Sequence, residues 1–157
     1  MVAPFLLKKE TGEHKFFWNI DANVGVASPN RTDDVHLIQF GYFIMSTARV
    51  TSPDLKPIFA GVKLGVPCTG REDDPLVKAI RAHQKSRGGP QDGHVSKLSS
   101  DSAGFAPGRS FMLVAIMNNI FDVTANDFPR IDRHPRCPPS VKIAVQNGCR
   151  LAATPPT

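Results

Sequence analysis

The chain predicts a mainly α-helical domain with a minor β component. Three observations carry this. Apolar residues recur at helical spacing over 33–46 and again over 74–85. The stretch 110–123 is apolar around its whole circumference and is long enough for a buried helix. Short aromatic runs of strand type are confined to the first thirty residues. With 157 residues, 41% hydrophobic and 21% charged, the chain suits one globular domain with a single core.

Residues 1–30 predict an N-terminal hairpin. Phe5-Leu6-Leu7 and Lys15-Phe16-Phe17-Trp18-Asn19-Ile20 are the strands, and Thr11-Gly12-Glu13 supplies turn chemistry between them. Trp18 is a core or lid residue in this scheme, with a sugar-stacking platform as the alternative. Asp21 to Asn30 is a connector.

A first helix is expected from Asp33 to about Ser46, with Thr32 as N-cap and Asp33 and Asp34 in the dipole-favoured first turn. Val35, Ile38, Tyr42 and Met45 share one face, and Leu37, Phe40 and Ile44 lie nearly opposite. A helix apolar on two faces is buried on two faces. One face meets a partner helix, and the hairpin or the C-terminal segment covers the other.

Residues 47–72 are punctuated by Pro53, Pro57, Gly61, Gly65, Pro67 and Gly70, and Ile58-Phe59-Ala60 and Val62-Lys63-Leu64 read as short strands. Asp74 as N-cap and Pro75 at the first helical position start a second helix that Gly88-Gly89-Pro90 stops. Residues 96–109 read as a mobile Ser- and Gly-rich loop. After the apolar helix over 110–123, 127–139 read as loop, Ser140 to Cys149 as a last helix closed near Gly148, and 152–157 as a frayed tail.

Three blocks carry a resemblance. They are Asp34-Val35 with Ile38-Gln39, then Ala79-Ile80 with His83-Gln84, then Gln91-Asp92-Gly93-His94-Val95. Together they resemble the small three-helix peptidoglycan-binding domain of bacterial wall-active proteins. That family packs an Asp-Val-x-x-Leu-Gln helix on an Ala-hydrophobic-x-x-Phe-Gln helix and follows them with a Val-Asp-Gly-hydrophobic turn. His83 stands where the family has Phe, and the 47–72 stretch is longer than the family's loop. The resemblance implies one domain over 1–157. Its core spans 31–123 with an insert at 47–72, and 1–30 and 124–157 are elaborations. It implies structural roles for Asp34, Val35, Gln39, Ile80, Gln84, Asp92 and Gly93.

It also implies non-catalytic binding of wall glycopeptide in a groove between helices, with Tyr42, His83, Asp92 and His94 as candidate ligand contacts. A half-buried His83 needs a polar partner. Gly93 suits positive φ, and Asp92 can bond the backbone two residues on.

Other chemistries find little support. The five histidines and three cysteines form no His-Glu-x-x-His or Cys-x-x-Cys spacing, so neither metal nor cofactor is expected. Cys68 and Cys137 adjoin prolines in irregular segments and do not precede a helix N-terminus that would activate a thiolate. Glu72, Asp73 and Asp74 read as a helix start, not as a glycosidase pair. No catalytic residue is assigned.

The net charge is +5, but the run Lys78, Arg81, Lys85 and Arg87 is the outer face of an amphipathic helix without interleaved aromatics, so no nucleic-acid partner is expected. No apolar run of about 18 residues predicts a membrane span. Residues 1–10 lack a basic segment followed by an apolar core, so the expectation is synthesis in the cytoplasm without a signal peptide. A wall ligand then implies export by a signal-independent machine such as a contractile, type VI-like secretion system, or carriage by a partner. Reuse of the fold as an adaptor, chaperone or immunity-type protein of a secretion or toxin system is the alternative. A small wall hydrolase is a weaker one.

Overall fold

The computed structural model describes residues 1–8, 11–99 and 111–153, the last three by backbone alone. The expected mobile loop falls outside the described residues from 100 onward, as does the tail from 154. The described residues are helical with a minor β component, as the periodicities predict.

The N-terminal hairpin forms. β1 (Ala3–Lys8) pairs antiparallel with β2 (His14–Asn19), with Leu6 opposite Phe16 and Phe5 opposite Phe17. Trp18 is fully buried, and its indole N–H donates to the carbonyl of Pro129 at 2.8 Å, which settles it as a core residue. β3 (Val24–Gly25) pairs with β4 (His94–Val95), so the connector before the first helix is stitched to the segment after the third.

α1 spans Thr32–Thr47. Arg31 occupies the N-cap and no side chain caps the helix, so Thr32 lies inside it and is not the cap. The first-turn carboxylates are used elsewhere. Asp33 accepts from the backbone of Val2 at 2.8 Å, and Asp34 accepts from Asp21 and Ala22 at 2.9 and 3.0 Å. Burial of Asp34 raises its carboxyl above the usual range, and those two N–H groups oppose the rise. Both faces of α1 are buried, against α4 on one side, with α2 and α5 beside it. The resemblance implies α3 as its close partner; the backbone of α1 packs more closely on α4, α2 and α5, while α3 meets α1 at the Tyr42–His83 side-chain contact.

The short strands expected at 58–64 are absent. Lys56–Ala60 forms α2, a short helix with Pro57 in its first turn, and Val62 to Leu64 follow it as turn and coil. No neighbouring strand offers Ile58-Phe59-Ala60 a ladder, whereas a helical turn seats Phe59 in the core against Tyr42. α3 (Pro75–Ser86) starts as predicted, with the Asp74 carboxylate accepting from Leu76 N–H at 2.8 Å. α4 (Met112–Thr124) is the predicted apolar helix. A 3₁₀ turn at Ile131–Arg133 precedes α5 (Pro139–Ala153).

Two glycines are packing slots. Gly148 does not close α5. It lies within the helix, where an added Cβ would come within 2.7 Å of the Trp18 ring. Gly41 lies where α1 packs on α4, and a Cβ there would collide with Cγ2 of Ile116. Ile116 is fully buried and β-branched in a helix, so its χ1 has little freedom to yield.

Gly41→Ala therefore tests the α1–α4 seam. Helix propensity alone favours alanine by about 1 kcal/mol, while overpacking costs roughly 1–3 kcal/mol. A net loss is expected, seen as a melting temperature lower by a few degrees. In an Ile116→Ala background the same change should cost nothing. Equal cost in both backgrounds would show that the helices do not meet there.

Candidate functional site

α3 positions the site. Its N-terminus is pinned by Asp74, whose carboxylate also accepts from the backbone and hydroxyl of Thr69 at 2.8 and 3.0 Å. Burial opposes ionisation of Asp74, but these donors and Leu76 N–H hold its carboxyl below the usual range. Leu76, Val77, Ala79 and Ile80 face the core.

His83 lies inside the protein. Its Nδ1 is 3.2 Å from the hydroxyl of Tyr42, and its ring stands edge-on to Tyr42 and Phe59. Burial pushes the imidazole down to about 4, with repulsion from Arg87 adding to the effect. Burial also pushes the Tyr42 hydroxyl up, so it stays protonated and can donate to a neutral ring. Tyr42 has no exposed surface, and His83 has 6%.

The next residue, Gln84, points to a different neighbour. Its Nε2 donates to Asp92 Oδ1 at 2.7 Å and to the His94 carbonyl at 3.1 Å, and its Oε1 accepts from Gly93 N–H at 2.9 Å. Asp92 Oδ1 also accepts from His94 N–H at 3.2 Å, the local bond an Asp-Gly turn predicts. Burial works against the Asp92 charge, but the Gln84 amide and His94 N–H hold the carboxyl below the usual range. Gly93 has φ +76, and a Cβ there would press on Val26 at 2.9 Å. Arg81 closes the turn from outside, paired with Glu72 and donating to the carbonyl of Gln91. The basic face of α3 is thus partly neutralised. Gln39 does for the 47–72 segment what Gln84 does for the turn, donating to Val66 O at 2.8 Å and accepting from Gly65 N–H at 3.0 Å.

Beside the turn lies a cleft of about 590 Å³. The end of α3, Gly88, Gly89 and Pro90, the Asp92–His94 turn, and Phe111 and Met112 at the start of α4 form its walls. The four expected ligand contacts do not meet on one surface. Asp92 and His94 line the cleft, whereas Tyr42 and His83 are core residues that a ligand in it does not reach. The two-faced α1 explains this, because each of its apolar faces is covered. Among the cleft residues outside the expected site are Arg87, Gly89, Phe111 and Met112. Nothing local marks them, since the two walls come from segments apart in the sequence.

The structure also joins His36 Nδ1 to Ser140 Oγ at 2.6 Å, linking the first turns of α1 and α5. Burial lowers the His36 imidazole against the pull of Asp33, so the ring is neutral and competent to accept. With 104 residues between the partners, sequence spacing could not have announced the pair.

Among the described residues no group of three potential metal ligands assembles, and no helix is long and apolar enough to cross a membrane. The cysteines are unpaired, and burial raises the thiols of Cys68 and Cys137, the latter to about 12. No protein-family model matches the chain, and neither does a curated protein or a solved structure.

Two predictions follow from this geometry. His83 has a folded-state value of about 4 against 6.5 in an unfolded chain. Its contribution to stability is therefore complete above pH 6.5 and is lost as pH falls through the window from 6.5 to 4, a change on the order of 3 kcal/mol. His83→Phe should flatten this limb, at a cost at pH 7 of about 1–3 kcal/mol for the stranded Tyr42 hydroxyl. Denaturant titrations at pH 7 and pH 4.5 test it, and parallel losses in the two proteins would refute it.

The turn gives the second. Gly93→Val meets both backbone strain of about 1–3 kcal/mol and the Val26 contact. Asp92→Ala removes hydrogen bonds worth about 1 kcal/mol each. Thermal melts should rank Gly93→Val as the more damaging, and a wild-type melt for it would mean the turn tolerates a side chain.

Proposed function

We propose that this protein binds bacterial cell-wall peptidoglycan without cleaving it, in the cleft between the end of α3 and the start of α4. One observation carries the reading: two of the three resembling blocks meet as a single hydrogen-bonded unit, Gln84 with Asp92-Gly93-His94, on the wall of that cleft. In this reading residues 31–123 are the binding core, 47–72 an insert, and the hairpin and α5 elaborations of it. Asp92 and His94 are the ligand contacts, while Tyr42 and His83 support them from within.

A specific observation favours a second reading, as an adaptor between proteins. Phe16, Phe128 and Phe121 run edge to edge with centroids 6.2 and 5.2 Å apart, and Leu6, opposite Phe16 in the hairpin, is 63% exposed. Leu6 and Phe121 are exposed beside the half-buried Phe16 and Phe128, and contiguous exposed apolar patches mark interaction surfaces.

Incubation with purified sacculi, followed by sedimentation and assay of released muropeptides, separates the possibilities. The wild type should pellet with sacculi at moderate salt, and Asp92→Ala/His94→Ala should stay in solution while remaining folded. Absence of the wild type from the pellet, together with a protein partner co-purified from the native host, would favour the adaptor. Released fragments would end the non-catalytic reading and direct attention to His36 and Ser140.

A further inference from the structure

We propose that Ser140 and His36 form a nucleophile–base pair that hydrolyses small acyl esters, with the charge of Asp33 supporting the base. This goes beyond the wall-binding reading and does not depend on it. The pair does not line the cleft, and an acyl ester is none of the bonds that link the wall polymer.

The starts of two helices bring the pair together. His36 belongs to α1 and Ser140 to the first turn of α5, with 104 residues between them in sequence. His36 Nδ1 is 2.6 Å from Ser140 Oγ, the reach at which a base takes a hydroxyl proton. A serine is a weak nucleophile until a base does so. Burial keeps the imidazole neutral, so Nδ1 accepts while Nε2 carries the ring proton. Both side chains are half-buried, which leaves the pair within reach of a ligand.

A carboxylate supports the base. Asp33 precedes His36 by three residues on α1, so the two share a face of the helix. The backbone N–H of Val2 holds Asp33 at 2.8 Å. The Asp33 charge opposes the effect of burial on His36, and it favours the imidazolium that forms when Ser140 gives up its proton. Asp33 acts through His36 and is a positioning residue.

The start of α5 adds a donor. The N–H of Lys142 donates to the carbonyl of Pro138 at 2.9 Å. The N–H of Ser140 lies ahead of that bond, among the donors that a helix start leaves without an intrahelical acceptor. Such donors favour negative charge developing beside them.

The chemistry balances with water as the only co-reactant. Ser140 Oγ bonds to the ester carbonyl carbon, His36 Nδ1 takes its proton, and an electron pair moves onto the carbonyl oxygen. Collapse breaks the bond from acyl carbon to alkoxy oxygen, and the alcohol leaves with the proton from His36. Water then adds to acyl-Ser140 and gives a proton to His36, which returns it to Ser140 as the carboxylic acid departs. Val35, Leu37 and Val141 are buried beside the pair, so the acyl group it admits is small.

Two probes test this on the full chain. Diisopropyl fluorophosphate should form a bond from Ser140 Oγ to phosphorus with loss of fluoride, seen by intact mass and peptide mapping as an adduct on Ser140. p-Nitrophenyl acetate should be hydrolysed through an acetylated Ser140. Ser140→Ala and His36→Gln should each lower that rate about a hundredfold or more. His36→Gln retains a side chain able to bond Ser140, so the two helices stay joined. The rate should fall on the acid side, below pH 6.5, as His36 is protonated. Asp33→Asn removes the charge that raises the His36 value, so this limb should move to lower pH, which a purely structural role would not cause.

A folded wild type that takes no label on Ser140 would overturn the proposal and leave the pair as a clip between α1 and α5. Hydrolysis unchanged in Ser140→Ala or in His36→Gln would overturn it too. Should Ser140→Ala fail to fold, labelling of the wild type and the rate of His36→Gln decide. An acid limb unmoved in Asp33→Asn would remove Asp33 from the site.

Discussion

The carboxamide of Gln84 ties the molecule together. It is the only side chain among the described residues that bonds three consecutive residues of another segment, and what it holds is a junction. The turn at Asp92-Gly93-His94 donates and accepts in two directions. One leads back to α3 through Gln84, and the other leads to the N-terminal third, where Val26 N–H donates to Gly93 O at 3.0 Å and β3 pairs with β4. Just before β3, Asp34 of α1 grips the same connector at Asp21 and Ala22. Helix-borne polar groups thus do the work that a larger sheet would do in another fold. Asp34, Gln39 and Gln84 are all nearly or fully buried, and each satisfies backbone N–H groups that would otherwise be stranded. Buried polar groups of this kind stabilise only when satisfied, and no buried side-chain donor or acceptor among the described residues lacks a partner.

The apolar half of the structure is arranged around absences of side chain. Gly41 lets α4 close on α1, and Gly148 lets the indole of Trp18 lie against α5. Trp18 in turn spends its one donor on Pro129, so the hairpin, the segment before the 3₁₀ turn and α5 are locked at one residue. The hairpin needs this. A two-stranded ribbon is marginal in water by itself, and it persists here because α4 and α5 cover it.

What could be read from the sequence was local. Asp74-Pro75 announced the start of α3 because cap and first position are set by neighbours in the chain. Asp92-Gly93 announced a positive-φ turn for the same reason. The apolar run at 110–123 announced α4 by length. What failed depended on partners far away in sequence. Ile58-Phe59-Ala60 has strand composition, but strands need a ladder and none was within reach, so the first-turn Pro57 and the pocket beside Tyr42 decided for a helix. Thr32 has cap chemistry, yet the carboxylates beside it were drawn to the N-terminal segments and the helix began one residue earlier. Tyr42 was a candidate through the groove between helices that the resemblance implies, although the two apolar faces of α1 already predicted cover on both sides. Both are covered. Half of the cleft was legible through the Asp-Gly turn. The half on α4 was not, because sequence distance hides it.

The position of His83 shows how core and cleft are coupled. Consecutive residues on a helix point about 100° apart, so His83 and Gln84 face different neighbours while sharing one backbone. His83 packs on Tyr42 of α1 and Phe59 of α2. Gln84 holds the wall of the cleft. A phenylalanine at 83 would fill the same space without a partner requirement. An imidazole there commits Tyr42 to a hydrogen bond and makes the seat of α3 depend on the ring staying neutral. Protonation would place a charge against the rings of Tyr42 and Phe59 and beside Arg87, and movement of α3 away from them is one way to relieve it. Any such movement carries Gln84 with it. The turn would then lose the three bonds that orient Asp92, so the polar wall of the cleft is only as well ordered as the neutral histidine behind it.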